Sequence, residues 1–146
     1  MKTLVKINEN NMPSLFDYGI FISHAWKYHE DYERIVTFLK EASNFKFSNC
    51  SVPQSRKFDN MSQKELMEEL REQIRPASCV LALGGVYMSH SDWIQFELDF
   101  AVSLNKPIIG IKPWGNTNVS KAVSDVACEV VGWNTDSIIS AIRENS

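Results

Sequence analysis

At 146 residues the chain is long enough to bury a full hydrophobic core as one domain, and its 44% hydrophobic and 23% charged content is that of an ordinary soluble globular protein. A formal net charge of −3, with the basic residues scattered along the chain, excludes a general affinity for nucleic acid or for an anionic membrane. The opening residues Met1 to Asn8 lack the apolar core of a signal peptide, and no apolar run approaches the roughly 20 residues of a membrane span, so a cytoplasmic location is expected.

Residues 1–16 are polar and Asn-rich and are expected to form an arm, in which Thr3-Leu4-Val5-Lys6-Ile7 has the pattern of an edge strand; residues 17–146 form the domain. Tyr18-Gly19-Ile20-Phe21-Ile22-Ser23 is a short continuous apolar run of the kind that a central strand, buried on both faces, shows. From Tyr28 to Ala42 apolar residues recur at helical spacing, with Tyr32, Ile35, Val36, Leu39 and Ala42 on one side. Phe45 to Val52 is expected to be a second strand. Pro53 to Met61 is a polar loop carrying Arg56, Lys57 and Asp59. Ser62-Gln63-Lys64-Glu65 is a capping-box sequence that opens a helix with Leu66, Leu70 and Ile74 as its buried stripe. Pro76 closes that helix region, Ser78 to Leu83 is a third strand, and Gly84-Gly85 breaks it. Asp92, with Gln95 three residues on, is expected to cap the next helix. Pro107 to Lys112 and Cys128 to Val131 are the fourth and fifth strands, and Asn134 or Thr135 caps a last helix that turns Ile138, Ile139 and Ile142 inward.

Strands that alternate with helices in this way indicate an α/β fold: a flavodoxin-like three-layer sandwich around a five-stranded parallel sheet of order 2-1-3-4-5. In such a sheet ligands bind beyond the carboxyl ends of strands 1 and 3, where the winding direction reverses. That rule sets Ser23-His24-Ala25-Trp26 and Gly84-Gly85 on the two sides of one crevice.

The helix after that crevice contains an anomaly. At about 100° per residue, Gln95, Asp99 and Ser103 share one polar arc, while Trp93, Phe96, Phe100, Ala101 and Leu104 lie opposite. Glu97 projects from the middle of the apolar group. Burying an unpaired carboxylate costs several kcal/mol or forces it to take up a proton. Glu97 is therefore either a structural carboxylate paired with Arg34, Lys106 or a backbone amide, or the working group of a pocket.

Other chemistries lack their residues. There is no Gly-x-Gly-x-x-Gly and no Gly-x-x-x-x-Gly-Lys-Ser/Thr, so standard dinucleotide-cofactor and P-loop sites are missing. Ser23 and His24 are neighbours on a strand end, with side chains on opposite faces, which excludes them as a nucleophile–base pair. The strand ends also lack the acidic residues of a phosphoacceptor site. His24, His29 and His90 offer no metal-ligand spacing, so no metal is expected. Cys50, Cys79 and Cys128 each fall in an expected strand and are read as buried thiols.

Taken together, these residues resemble Toll/interleukin-receptor (TIR) domains across roughly residues 17–144. Tyr18-Gly19-Ile20-Phe21-Ile22-Ser23 resembles the first-strand motif of that family, and Trp93-Ile94-Gln95-Phe96-Glu97 matches the Trp-x-x-x-Glu element of its enzymatic members. Pro107-Ile108-Ile109-Gly110-Ile111, followed by Pro113-Trp114-Gly115, looks like the fourth strand of the bacterial and archaeal TIR-like branch, which includes the signal-producing proteins of Thoeris antiphage defence. The resemblance implies an enzyme that takes NAD+ as substrate, needs no other cofactor, and cleaves the nicotinamide–ribose bond with Glu97 as the essential carboxylate. It further implies that Ser23, His24, Ala25 and Trp26 line the nucleotide groove, that Trp93 borders the carboxylate, and that Arg56 lies on a loop that covers the site. That loop, residues 53–61, would mediate self-association, and a separate effector protein would sense the ADP-ribose-derived product. After Ser23 the turn His24-Ala25-Trp26 departs from the Tyr/Arg-rich turn of many eukaryotic members. The alternative in the same family is a non-enzymatic module that works by self-assembly.

Overall fold

The computed structural model describes residues 16–23, 29–51, 62–83, 92–113, 115 and 119–146. The five expected strands form: β1 (Asp17–Ser23), β2 (Lys46–Asn49), β3 (Cys79–Leu83), β4 (Ile108–Ile111) and β5 (Glu129–Val131). Between and after them lie α1 (His29–Glu41), α2 (Gln63–Ile74), α3 (Asp92–Ser103), α4 (Lys121–Ser124) and α5 (Thr135–Asn145). All strand pairings are parallel and the order is β2-β1-β3-β4-β5, as expected from the sequence.

Period-two alternation divides the apolar residues of the sheet between two layers. Ile20 and Ile22 of β1, Leu81 and Leu83 of β3, and Ile109 and Ile111 of β4 pack with Ile35 and Leu39 of α1 and with Ile138 and Ile142 of α5. Phe21, Val80, Ala82 and Ile108 face the other way, onto Leu70 and Ile74 of α2, Leu98 and Ala101 of α3, and Val123 of α4. Both faces of β3 are thus covered and all five of its residues are buried, which explains why the central strands read as unbroken apolar runs.

Close packing sets one backbone requirement. A Cβ on Gly19 would stand 2.5 Å from the Pro76 carbonyl oxygen and 3.1 Å from Ala77 Cα, because the α2–β3 connection crosses directly against β1 there. The crossing is fastened by Ser78, whose N–H donates to the Gly19 carbonyl at 2.7 Å. Backbone cannot yield as a side-chain tip can, so Gly19→Ala is expected to destabilise the fold by about 2–3 kcal/mol. Gly132→Ala, whose new Cβ would meet only Asn134 Nδ2 at 3.4 Å, is the control. Urea denaturation midpoints of the two variants check this, and equal midpoints would overturn it.

Helix ends follow local chemistry where the sequence supplies it. At α2 the Ser62 side chain accepts from the Glu65 N–H, and the Glu65 carboxylate accepts from the Ser62 N–H. At α5 the Asn134 side chain accepts from the Ser137 N–H at 2.8 Å. Asn44 and Asn105, just beyond α1 and α3, take the left-handed conformation (φ 54° and 58°) that Asn tolerates better than most residues.

Several local readings need correction. Gln95, expected to share in a cap with Asp92, donates its side-chain amide to Asp99 Oδ1, one turn ahead, while the Asp92 side chain lies outside the described residues. The second strand stops at Asn49, three residues short of the expected Val52, because the chain leaves the sheet edge there. α4 has only four residues, too few to show a helical period in sequence. Of the cysteines only Cys79 is a buried strand residue; Cys50 is half-buried just past β2 and Cys128 is exposed just before β5. Burial pushes the Cys79 thiol up from its ordinary value of 9.0 to about 11, which keeps it protonated and inert at neutral pH.

The expected arm, residues 1–16, falls outside the described residues except for Phe16. Among the described residues no helix is long and apolar enough to cross a membrane.

Candidate functional site

The site is built where β1 ends beneath α3. β1 sends Ile20 and Ile22 to the α1/α5 layer, so alternation turns Phe21 and Ser23 toward the α2/α3/α4 layer. Ser23 pairs in register with Ala82 of β3, and Ala82 pairs with Gly110 of β4. A row of small residues thus lies across the carboxyl ends of the central strands. Above the sheet, α3 buries Leu98 and Ala101 completely and Phe100 almost so. Phe100 is further held by the ring of Phe96 at 6.3 Å and by the Arg71 guanidinium at 5.7 Å.

Glu97 sits within this apolar face and is only 4% exposed, while Ser23 is fully buried. The Ser23 hydroxyl donates to Glu97 Oε1 at 2.7 Å. A hydroxyl at that distance holds the carboxylate in one orientation and offsets part of the cost of burying it. On the opposite arc Gln95, Asp99 and Ser103 are exposed, as the helical period requires. The two cations considered as partners lie elsewhere: Lys106 Nζ donates to the Arg75 carbonyl at 2.7 Å, and Arg34 is on α1, in the layer across the sheet. Arg34 there lines an open groove of about 760 Å³ with Glu30, Phe38 and Trp133, away from the β1–α3 site.

Of the site residues expected from sequence, the structure brings Ser23 and Glu97 together. Trp93 belongs to the first turn of α3, but its side chain lies outside the described residues. His24, Ala25, Trp26, Arg56, Gly84 and Gly85, and with them the whole 53–61 loop, lie outside the described residues. Among the described residues no three His, Cys, Asp or Glu side chains gather as a metal ion would need. One neighbour of the site escaped sequence reasoning. Ser51 is buried and its hydroxyl accepts from the Ile22 N–H at 2.9 Å. In sequence it is one polar residue of an edge strand, with nothing to distinguish it from Ser48.

The sequence matches the family model of the Thoeris protein ThsB, TIR-like domain, over residues 21–118, a span that contains both Ser23 and Glu97. Among solved structures, the CMP N-glycosidase BcmB of Clostridium botulinum is similar with a TM-score of 0.50 at 17% identity, over 86% of this chain and 98% of that one. At that identity the likeness is one of fold. A 3-dehydroquinate dehydratase-like protein from Bifidobacterium longum gives a TM-score of 0.46 at 11% identity, over 88% of this chain and 94% of that one, and supports no functional reading. No curated protein matches the sequence.

Proposed function

Because the chain belongs to the TIR-like domain family of the Thoeris protein ThsB, we propose that it is an NAD+-cleaving enzyme whose ADP-ribose-derived product is a signal in antiphage defence. The observation that supports this most directly is the buried Ser23–Glu97 pair at the carboxyl end of β1, with a 2.7 Å bond between them. Parallel α/β sheets bind ligands at that end, at the switch point between β1 and β3 where the winding direction reverses. A carboxylate held there by a hydroxyl suits one kind of step. When the nicotinamide–ribose bond breaks, its electron pair leaves with nicotinamide as a neutral base, and positive charge spreads over the ribose C1′ and ring oxygen. Glu97 would offset that charge and hold the ribose hydroxyls, and the apolar face around it would keep the interaction strong. Ser23 would keep the carboxylate aimed. Capture of the ribose cation by water gives ADP-ribose and a proton; capture by an atom of the same molecule gives a cyclic isomer.

The remaining roles follow from the family resemblance. His24, Ala25 and Trp26 would line the nucleotide groove, Trp93 and Arg56 would border it, and the 53–61 loop would join protomers. NAD+ is the substrate, with no further cofactor, and a separate effector in the same cytoplasm would read the product. The Clostridium botulinum protein is a CMP N-glycosidase, so the N-glycosidic bond of CMP is a second substrate to test. The measurement is mass spectrometry of the purified chain incubated with NAD+ and with CMP, over protein concentrations from nanomolar to tens of micromolar. Release of nicotinamide with an ADP-ribose-derived product is expected. Cleavage of CMP alone would keep the bond class and change the substrate. No cleavage of either at any concentration would favour the self-assembly module.

A further inference from the structure

We infer that Ser51 is a positioning residue for the Ser23–Glu97 pair, an inference that rests on the functional reading of that pair given above. β1 is held unequally on its two edges. On the β3 side the register continues to the last residue, Ser23 opposite Ala82. On the β2 side it stops at Ile20 opposite Asn49, and among the described residues the last backbone bond runs from the Cys50 N–H to the Ile20 carbonyl at 2.7 Å. A continuing parallel ladder would next offer the Ile22 N–H a backbone carbonyl. β2 has already turned away, and the Ser51 hydroxyl takes that place at 2.9 Å, in a buried setting.

Ser51 is itself braced. Its N–H donates to Asn49 Oδ1 at 3.0 Å, and Asn49 Nδ2 donates to the Tyr32 hydroxyl of α1 at 2.7 Å. A chain of three hydrogen bonds therefore runs from α1 to the Phe21–Ile22 peptide, one residue before Ser23. Ser23 follows directly on Ile22, so the direction of its side chain and the 2.7 Å bond to Glu97 depend on how the backbone at Ile22 is set. Displacement of a reacting group by about 1 Å is enough to cost about a hundredfold in rate. With the Ser51 hydroxyl removed, the Ile22 N–H would lose this bond on the β2 side of the strand. Ser51 touches no substrate in this scheme; it acts through Ser23.

Two measurements test this. In the first, kcat and KM for NAD+ are determined for a double-mutant cycle. Ser51→Ala is expected to lower kcat about tenfold with KM within about threefold, and Ser51→Thr, which keeps the hydroxyl, to recover most of the loss. In a Ser23→Ala background the same Ser51→Ala change is expected to cost less than about twofold, because the group through which it acts is gone. Tyr32→Phe, which breaks the outermost link at an accessible position, should lower kcat about twofold and carries the test if Ser51→Ala does not fold. In the second, the carboxyl 13C resonance of labelled Glu97 is followed without substrate. It is expected to move in Ser51→Ala, and to move no further when that change is added to Ser23→Ala. Multiplicative kcat losses in the double variant, or a Glu97 resonance unmoved by Ser51→Ala, would overturn the inference. A wild-type chain that cleaves no NAD+ while the resonance behaves as expected would overturn the functional reading and leave the positioning role standing.

Discussion

Glu97→Gln is expected to lower NAD+ turnover at least about a thousandfold, a loss of about 4 kcal/mol in transition-state stabilisation, while the protein stays folded and no less stable. The amide keeps the size of the side chain and keeps an oxygen that can accept from Ser23 Oγ, so the 2.7 Å contact survives. What disappears is the negative charge, and with it the means to offset the positive ribose. Glu97 is nearly fully buried, so removing its charge also removes a desolvation cost. A working carboxylate and a structural one therefore predict opposite stability changes: a melting temperature unchanged or raised in the first case, and clearly lowered in the second. Nicotinamide release and thermal denaturation of the same preparation decide between them. Wild-type turnover by the Gln variant would remove Glu97 from the chemistry.

Ser23→Ala is expected to lower kcat by about ten- to a hundredfold, less than the loss of the carboxylate itself, because orientation is lost and charge is retained. The structure also shows why alanine is the right replacement. Ser23 is fully buried against α3, so a large side chain there would disturb the sheet before it could report on substrate binding. The Ala variant leaves Glu97 without its 2.7 Å donor. Its stability is expected to fall by about 1–2 kcal/mol, the usual consequence of depriving a buried polar group of one partner. A kcat within twofold of wild type, measured at saturating NAD+ on folded protein, would show that Ser23 plays no part in aiming the carboxylate.

Much of this site was legible because its strongest signal is local. A carboxylate among Trp93, Phe96, Phe100 and Ala101 stands out from the helical period alone, since burial in a helix follows spacing along a few turns of chain. The same holds for the unbroken apolar runs of β1, β3 and β4, for the capping box at Ser62 and Glu65, and for the cap at Asn134: each is a pattern within a few residues. Alternating strands and helices, joined to the handedness of parallel crossovers, restrict the order of the sheet to a handful of choices.

What the tertiary structure alone decided are the pairings between distant segments. Ser23 and Glu97 stand 74 positions apart, and their hydrogen bond exists because the β1–β3 register and the packing of α3 on the sheet place them face to face. No spacing rule separates that outcome from a pairing of Glu97 with Arg34 or Lys106, since the layer each cation occupies is set by the whole fold. Ser51 shows the same limit in another form: a serine in an edge strand gains meaning only when the strand turns away and leaves the Ile22 amide, 29 positions earlier, to be satisfied by its hydroxyl. Cys128, read as a strand residue, proves exposed because β5 starts one residue later, at the edge of the sheet. Periodicity reports which face of an element is apolar; which atoms meet across the core depends on register and layer, and those arise only when every element packs at once.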